Sequence, residues 1–298
     1  MDKNNLIKGV LLVALGSSSY GMLAIFVKLA YENGYTTPEV TLAQSVIGLI
    51  CMWGINFLSK NKALNENKKV KKGDTLKLIL SGTSLGLTTL FYYITVKYVS
   101  VSIAIVLLMQ TIWISVVLEA FLLRKIPSMQ KIISVTCVLI GTLLTTNVFA
   151  SEVSIDYRGV IFGLLSAISF TTTMFASNRI ATYLSPYKKS SIMLIGGFIA
   201  VVCYCIVSIE GHFDFSIFYK WGVILALFGT IIPPLAFNSG FPKTGLGIGS
   251  IVSSIELPVS VIMAYLILKE QVVTIQILGI ILILSAVVIM NVKFSKNK

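Results

Sequence analysis

The chain is a succession of long apolar runs separated by short polar connections, and run length is its most informative property. Ten runs are long enough to cross about 30 Å of hydrocarbon as helices. They cover residues 7–28, 40–58, 76–96, 102–123, 130–149, 159–178, 190–209, 221–238, 245–268 and 276–290. The runs lack the alternation of barrel strands. No connection is long enough to hold an inserted soluble domain. The expected fold is an all-α polytopic membrane protein of ten transmembrane helices.

Composition agrees with this pattern. Apolar residues make up 56% of the 298 residues and charged residues 12%, about half the charged share of a soluble domain. The first run follows Lys3 and Lys8, as a signal peptide would. It exceeds a typical signal core and ends in Lys28 rather than in a small-residue cleavage site, so it reads as a first span. Cys51, Cys137, Cys203 and Cys205 all fall within spans and read as small hydrophobes, not as a disulfide framework or metal site.

A net charge of +12 raises the question of nucleic acid, and its distribution answers it. With an even number of spans and the N-terminus inside, nineteen of the 24 basic residues fall on the cytoplasmic side. Lys28, Lys97, Arg158, Lys220 and Lys269 fall outside. This is the positive-inside pattern, so both termini are expected in the cytoplasm and no nucleic-acid partner is implied. The Lys60–Lys77 loop is the densest basic segment and reads as a topology determinant lying near anionic lipid.

The chain also repeats itself. Phe91-Tyr92-Tyr93 matches Phe237-Asn238-Ser239, and the same offset of 146 pairs Ser84 with Thr230, Lys97 with Lys243 and Gln110 with Glu256. Gly9-Val10 matches Gly159-Val160 at an offset of 150, and Tyr20 matches Phe170. The division is therefore two five-span repeats, 1–150 and 151–298. Five is odd, so the second repeat enters the membrane from the opposite side. Inverted repeats around a midplane site are an architecture of secondary transporters.

The stretch from Phe91 to Ser102 resembles the third-to-fourth helix signature of the drug/metabolite transporter superfamily, EamA-type. Glu256-Leu257-Pro258-Val259, followed by Leu268-Lys269-Glu270, is similar to that family's ninth helix. The resemblance covers nearly the whole chain. It implies that helices one to four and six to nine enclose a central cavity, with five and ten packed outside. The arginine that often begins the second helix of such proteins is replaced here by Gln44.

Glu256 carries the strongest chemical signal. It lies about 3 Å from the midplane of its run at ~1.5 Å rise per residue. A carboxylate there costs roughly 2.5–3.5 kcal/mol unless it is protonated, paired or facing water. Helical spacing places Gly249, Ser253, Glu256 and Ser260 on one face, a poor face for lipid and a plausible cavity wall. Two residues on, Pro258 removes a helix hydrogen bond, and Pro233-Pro234 does the same in the eighth run. These three prolines are the expected kinks or hinges.

Around Glu256 the expected cavity residues are Tyr20, Tyr92, Gln110, Trp113 and Asn238. Gln110 needs hydrogen-bond partners in apolar surroundings, and Trp113 offers a flat face and one donor. Each of these has a packing alternative. Gln110 serves equally as interhelical glue, and the Ser/Thr stripes around Tyr20, Ser84 and Ser169 equally let helices approach. Glu119 is read as an interfacial acid reaching toward Arg124-Lys125.

No phosphate-binding Gly-Lys-Ser/Thr loop and no Cys/His cluster is present, so neither ATP, metal nor another cofactor is expected. The function read from the sequence is secondary transport of a small organic metabolite across the cytoplasmic membrane by alternating access. The resemblance implies an amino acid or related compound, with export ahead of uptake. Glu256 permits proton coupling, and the protein is a monomer or homodimer. The alternatives are a sensor or structural membrane protein, and an enzyme acting on lipid. An enzyme would need clustered acids, histidines or metal ligands, which the sequence lacks.

Overall fold

The computed structural model describes residues 3–62, 70–71, 73–99, 101–147, 156–208, 212–269 and 271–291. Residues 63–69 and 72 of the Lys60–Lys77 loop and residues 148–155 before Arg158 lie outside the described residues, as does the Lys97 side chain.

The described residues fold into helices: α1 (Lys3–Glu32), α2 (Thr37–Lys62), α3 (Asp74–Tyr98), α4 (Val101–Leu108), α5 (Thr111–Leu123), α6 (Met129–Thr145), α7 (Tyr157–Arg179), α8 (Pro186–Ser208), α9 (Val223–Ala226), α10 (Ile232–Thr244), α11 (Leu246–Ser253), α12 (Glu256–Leu268) and α13 (Thr274–Asn291). Eight spans are long and apolar enough to cross a membrane. Helices α4 and α5 together make the fourth, α9 and α10 belong to the eighth, and α11 and α12 make the ninth. The shorter apolar α6 and α13 are the fifth and tenth. Ten spans put Lys3 and Asn291 on one face, called here the near face.

Local chemistry sets several helix starts. Ser128 accepts from the Lys131 N–H at the start of α6, and Asp156 accepts from the Arg158 N–H at the start of α7. Thr36-Thr37-Pro38-Glu39 opens α2, with the Thr36 N–H and hydroxyl both donating to the Glu39 carboxylate, at 2.6 and 2.8 Å. This is the Thr-x-x-Glu spacing of a capping box. The same carboxylate accepts from the Asp214 N–H at 2.7 Å, so it also fastens the loop that leads into the eighth span.

Packing between the halves is reciprocal. α3 packs on α7 and α8, and in return the eighth span packs on α1 and α2. The ninth span packs on α1 as the fourth packs on α7. α2 meets α8, the fourth span meets the ninth through α5 and α11, and α6 meets α13, so that equivalent spans pair. α6 and α13 are clasped by two glutamines. Gln130 donates to the Ile289 carbonyl, and Gln276 donates to the Thr145 carbonyl at 3.0 Å. Gly82 and Gly86 of α3 lie against the backbone of Met193 and Gly197, where a Cβ would collide. That is the close approach expected of small residues in membrane helices. The outer wall exposes Phe57, Phe121, Ile206 and Val207, side chains suited to lipid. Cys203 shares that exposure and Cys205 is buried; all four cysteines are free.

The structure corrects two readings of the helix breaks. The eighth span does not stop at Asn238, and its helix continues through Pro233-Pro234. It runs unbroken from Phe218 to Thr244. Two π-helical turns, Phe218–Gly222 and Leu227–Ile231, widen the helix ahead of the prolines, which sit in the first turn of α10. A wider turn relieves the clash of a proline ring with the preceding carbonyls.

The second correction concerns Pro258. The ninth span breaks at Ser254–Ile255, and the fourth breaks identically at Met109–Gln110. Bonds of the 3₁₀ type run from the Ile255 N–H to Val252 and from the Leu257 N–H to Ser254. Their counterparts run from Gln110 to Leu107 and from Ile112 to Met109. Trp113 stands where Pro258 does, so the break forms without a proline. Pro258 sits in the first turn of α12, where a missing donor costs little.

Candidate functional site in the bundle centre

The register of the two breaks changes the pairing of the halves. α3 and α10 end at Tyr98 and Thr244, but two residues separate α3 from α4 and one separates α10 from α11. The offset therefore drops from 146 to 145. Both helix ends agree, since Arg124 and Lys269 each close their span in the left-handed region, at φ 51° and 55°. Thr111, not Gln110, is the counterpart of Glu256.

The two counterparts sit in matched surroundings with different outcomes. Thr111 is fully buried and its hydroxyl lies 2.8 Å from that of Thr171 on α7. Gly21 of α1 is the counterpart of Thr171, and its Cα lies against the Glu256 carbonyl. The glycine lets α1 and α12 touch along their backbones. The Glu256 side chain is consequently not used to join helices. It is enclosed by protein, yet keeps accessible surface and has no salt bridge among the described residues.

Tyr20 and Tyr92 share that condition, enclosed but only half-buried, and both hydroxyls are within electrostatic reach of Glu256. Tyr93 and Tyr31 continue the tyrosine wall toward the far face, with ring centroids 6.3 Å apart. Tyr31 is held in turn by Thr37 at 3.2 Å. Tyr31 and Tyr93 were not singled out in the sequence. The Tyr92-Tyr93 doublet was the available signal, since one of two adjacent residues on a cavity-lining helix carries the neighbouring wall.

Aromatic rings cluster on Tyr20. Tyr20 meets its counterpart Phe170 edge to face at 6.2 Å, and both meet Phe237, at 5.7 and 6.3 Å. Phe241 meets Phe237 edge to face at 5.3 Å. Phe91, the counterpart of Phe237, does not join this cluster and packs on Phe162 at 6.0 Å.

The other expected site residues lie differently. Gln110 and Trp113 satisfy one another: the Trp113 Nε1 donates to Gln110 Oε1 at 2.8 Å, while Gln110 Nε2 donates to the Val106 carbonyl at 2.9 Å. Trp113 is exposed, as are Val117 and Phe121 further along α5. Asn238 is buried in the near half, where it donates to Ser190 Oγ at 2.8 Å. Ser253 is buried and bonds back to the Ser250 carbonyl at 2.7 Å. Ser260 is half-buried, with its backbone beside Gly21. The break at Ser254–Ile255 explains the divergence. It interrupts the straight 3.6-residue stripe that put Gly249 and Ser253 beside Glu256.

Glu119 is structural, but its partner is not the expected one. It is buried and paired with Lys131 of α6, against Gly247 at the start of α11. Lys189 is a finding without a sequence signal. It is fully buried, and its Nζ donates to the carbonyls of Ala176 and Ser177, at 2.9 and 2.8 Å. These are among the last carbonyls of α7, which carry its negative end, and the Ala176 carbonyl also accepts from the Ile180 N–H at 3.0 Å.

With this geometry in place, comparison with known proteins gives a consistent answer. The model of the EamA-like transporter family matches residues 7–147 and again residues 157–292. The chain is 23% identical over 280 residues to YcbK of Bacillus subtilis (strain 168), an uncharacterized transporter, covering 91% of this chain and 88% of that one. A solved crystal structure superposes with a TM-score of 0.78 at 13% identity, over 96% of this chain and 97% of the other, which shows a shared fold.

Proposed function

Because the chain belongs to the EamA-like transporter family, we propose that it moves a small organic metabolite, an amino acid or related compound, across the cytoplasmic membrane by alternating access, with export the favoured direction. The membrane-embedded, multi-pass character follows from the family and the apolar spans. The near face is the cytoplasmic one in this reading, on the strength of its basic residues. The protein works as a carrier and not as an enzyme, alone or as a homodimer, with a small molecule rather than nucleic acid as partner.

The observation that carries the reading is Glu256: a carboxylate in mid-membrane, turned into an enclosed space beside Tyr20 and Tyr92. An intramembrane acid held free of structural bonds is expensive, and its use is substrate or proton binding. Asymmetry between the halves supports alternating access. On the near face α10 packs on α7 and α8, and the Asn178 side chain donates to the Phe241 carbonyl at 2.6 Å. α3 has no comparable packing on α1 or α2 among the described residues, where the rings of Tyr31 and Tyr93 meet at 6.3 Å. Inverted repeats that exchange these two arrangements would open one face while closing the other.

The test is a screen in proteoliposomes of radiolabelled amino acids, purines, sugars and quaternary amines, repeated with Glu256→Gln. At least one compound is expected to be carried by the wild type. The variant is expected to lose flux driven by a pH gradient while keeping counterflow exchange, because the amide stays neutral. Unchanged rate, affinity and pH dependence in Glu256→Gln would remove Glu256 from the mechanism. No flux of any class would overturn the reading.

A further inference from the structure

On the outer wall, α2 and α8 leave a groove of about 410 Å³ between them. Ser191 lies in its wall and donates to the Met52 carbonyl at 3.2 Å, where the two helices touch. α2 presents Trp53, Asn56 and Phe57 to the groove, one face by helical spacing. α8 presents Lys188, Ile192 and Ile195. Trp53 and Phe57 are both more than half exposed.

The groove is graded from polar to apolar. The two helices run antiparallel, so the Met52–Ser191 contact sets Asn56 near the level of Lys188, toward the near face. Ile195 lies about two turns further along α8, about 10 Å deeper at ~1.5 Å per residue. The near end therefore offers an ammonium with three N–H donors and a side-chain amide, and the deep end offers branched hydrocarbon. Lys60 takes the next position of the α2 face, one turn beyond Asn56, and opens the densest basic segment of the chain. The neighbouring Lys189 is spent inward, on the carbonyls of α7. The far end of the same helix pair is different. There the Cys205 thiol donates to the Pro38 carbonyl at 3.7 Å, and Cys203, Ile206 and Val207 are exposed. A second outer groove, on α13, has no charged side chain in its wall.

We propose that the α2–α8 groove binds an anionic phospholipid of the near leaflet, its phosphate meeting Lys188 and Asn56 and one acyl chain lying along Trp53, Ile192 and Ile195. Basic pockets between membrane helices are recurrent sites for such headgroups. Tryptophan below the headgroup suits the membrane interface, where its ring is part apolar and part polar. A zwitterionic lipid brings the same chains but sets its own cation beside Lys188. The groove therefore selects a headgroup of net negative charge. α2 and α8 are equivalent spans of the two repeats, so the lipid sits across the seam between them. The site lies on the outside of the bundle, apart from Glu256, and does not depend on which metabolite is carried.

Thermal unfolding of the purified full-length protein in detergent tests the site without any transported substrate. A lipid that binds only the folded state raises the midpoint in a saturable way. Midpoints are measured with added phosphatidylglycerol, with phosphatidylcholine of the same chains, and with inorganic phosphate. Phosphatidylglycerol is expected to raise the midpoint with a defined half-saturation that the other two lack. Lys188→Gln should raise the half-saturating concentration about fivefold, equivalent to about 1 kcal/mol. Ile195→Trp keeps the lysine and fills the deep end, so it should also raise that concentration, and it covers the case in which Lys188→Gln does not fold. Lys125→Gln, at an exposed lysine away from the groove, should shift nothing. Equal responses to the two lipids or to phosphate, a response that neither groove variant shifts, or one that Lys125→Gln weakens as much, would reduce the groove to ordinary lipid contact and overturn the site. A midpoint that rises with protein concentration and not with lipid would assign the groove to a second copy of the chain, and would overturn it as well.

Discussion

The Glu256 carbonyl rests on the Cα of Gly21, and this backbone contact replaces the side-chain bond that joins Thr111 to Thr171 in the other half. One pair of equivalent positions thus serves two purposes. In the first half both side chains are spent on holding α5 to α7. In the second half the glycine takes over the joining, and the side chain of position 256 is released into the bundle centre.

Gly21→Ala should separate α1 from α12. The added methyl meets the Glu256 carbonyl, which is backbone and cannot rotate away. Overpacking of this kind costs about 1–3 kcal/mol. The expected outcome is a lower unfolding midpoint together with a loss of transport larger than the loss of folded protein. Gly21→Ala with wild-type stability would show that the two helices have room to part.

Thr111→Val should behave differently. It removes the hydroxyl bond to Thr171 and keeps the shape, at a cost of about 0.6 kcal/mol, typical for such bonds within membranes. Transport per folded molecule should be unchanged, because Thr111 borders no internal space. Denaturant unfolding alongside flux assays separates the two effects, and a selective loss of flux would contradict the structural role given to Thr111.

The Glu119–Lys131 pair should be worth more as a pair than either residue alone. Removing one partner leaves the other charge buried, a loss of about 3–5 kcal/mol in enclosed sites. Glu119→Ala and Lys131→Ala should each be strongly destabilising, and the double variant less so than the two losses added. A double-mutant cycle on unfolding midpoints reads the coupling. Additive losses would mean that the pair contributes nothing beyond packing.

Lys189→Met should destabilise the near end of α7. The methionine fills the space but leaves the Ser177 carbonyl without its buried donor, while Ala176 keeps the Ile180 N–H, a loss of about 1–3 kcal/mol. Hydrogen exchange is expected to rise in the last turn of α7 and the first turn of α8, and an unchanged exchange pattern would show that the carbonyl finds another donor.

Orientation is checked by labelling. In a protein with its four cysteines replaced, Asn67→Cys should resist an impermeant thiol reagent in intact cells, and Ser154→Cys should react. The reverse result would turn the near face outward and exchange the predicted entry and exit sides.

The sequence by itself determined the number of spans and the region each occupies, because apolar run length against bilayer thickness is a local property. It also singled out Glu256, since one carboxylate in an apolar run stands out without reference to any neighbour. Pairing across the halves was legible only to within a residue. A connection one residue shorter before α11 moved the partner of Glu256 from Gln110 to Thr111, and no local signal marks that deletion. The fate of each polar side chain was decided by tertiary structure. Asn238, Ser253 and Trp113 are of the types that line cavities, but buried polar groups are bound by whatever donor or acceptor the packing brings near. Ser190, the Ser250 carbonyl and Gln110 claimed these three. Lys189 makes the same point from the other side. Its position beside Lys188 reads as a solvated surface charge, and only the arrival of the end of α7 gives it two carbonyls to bind.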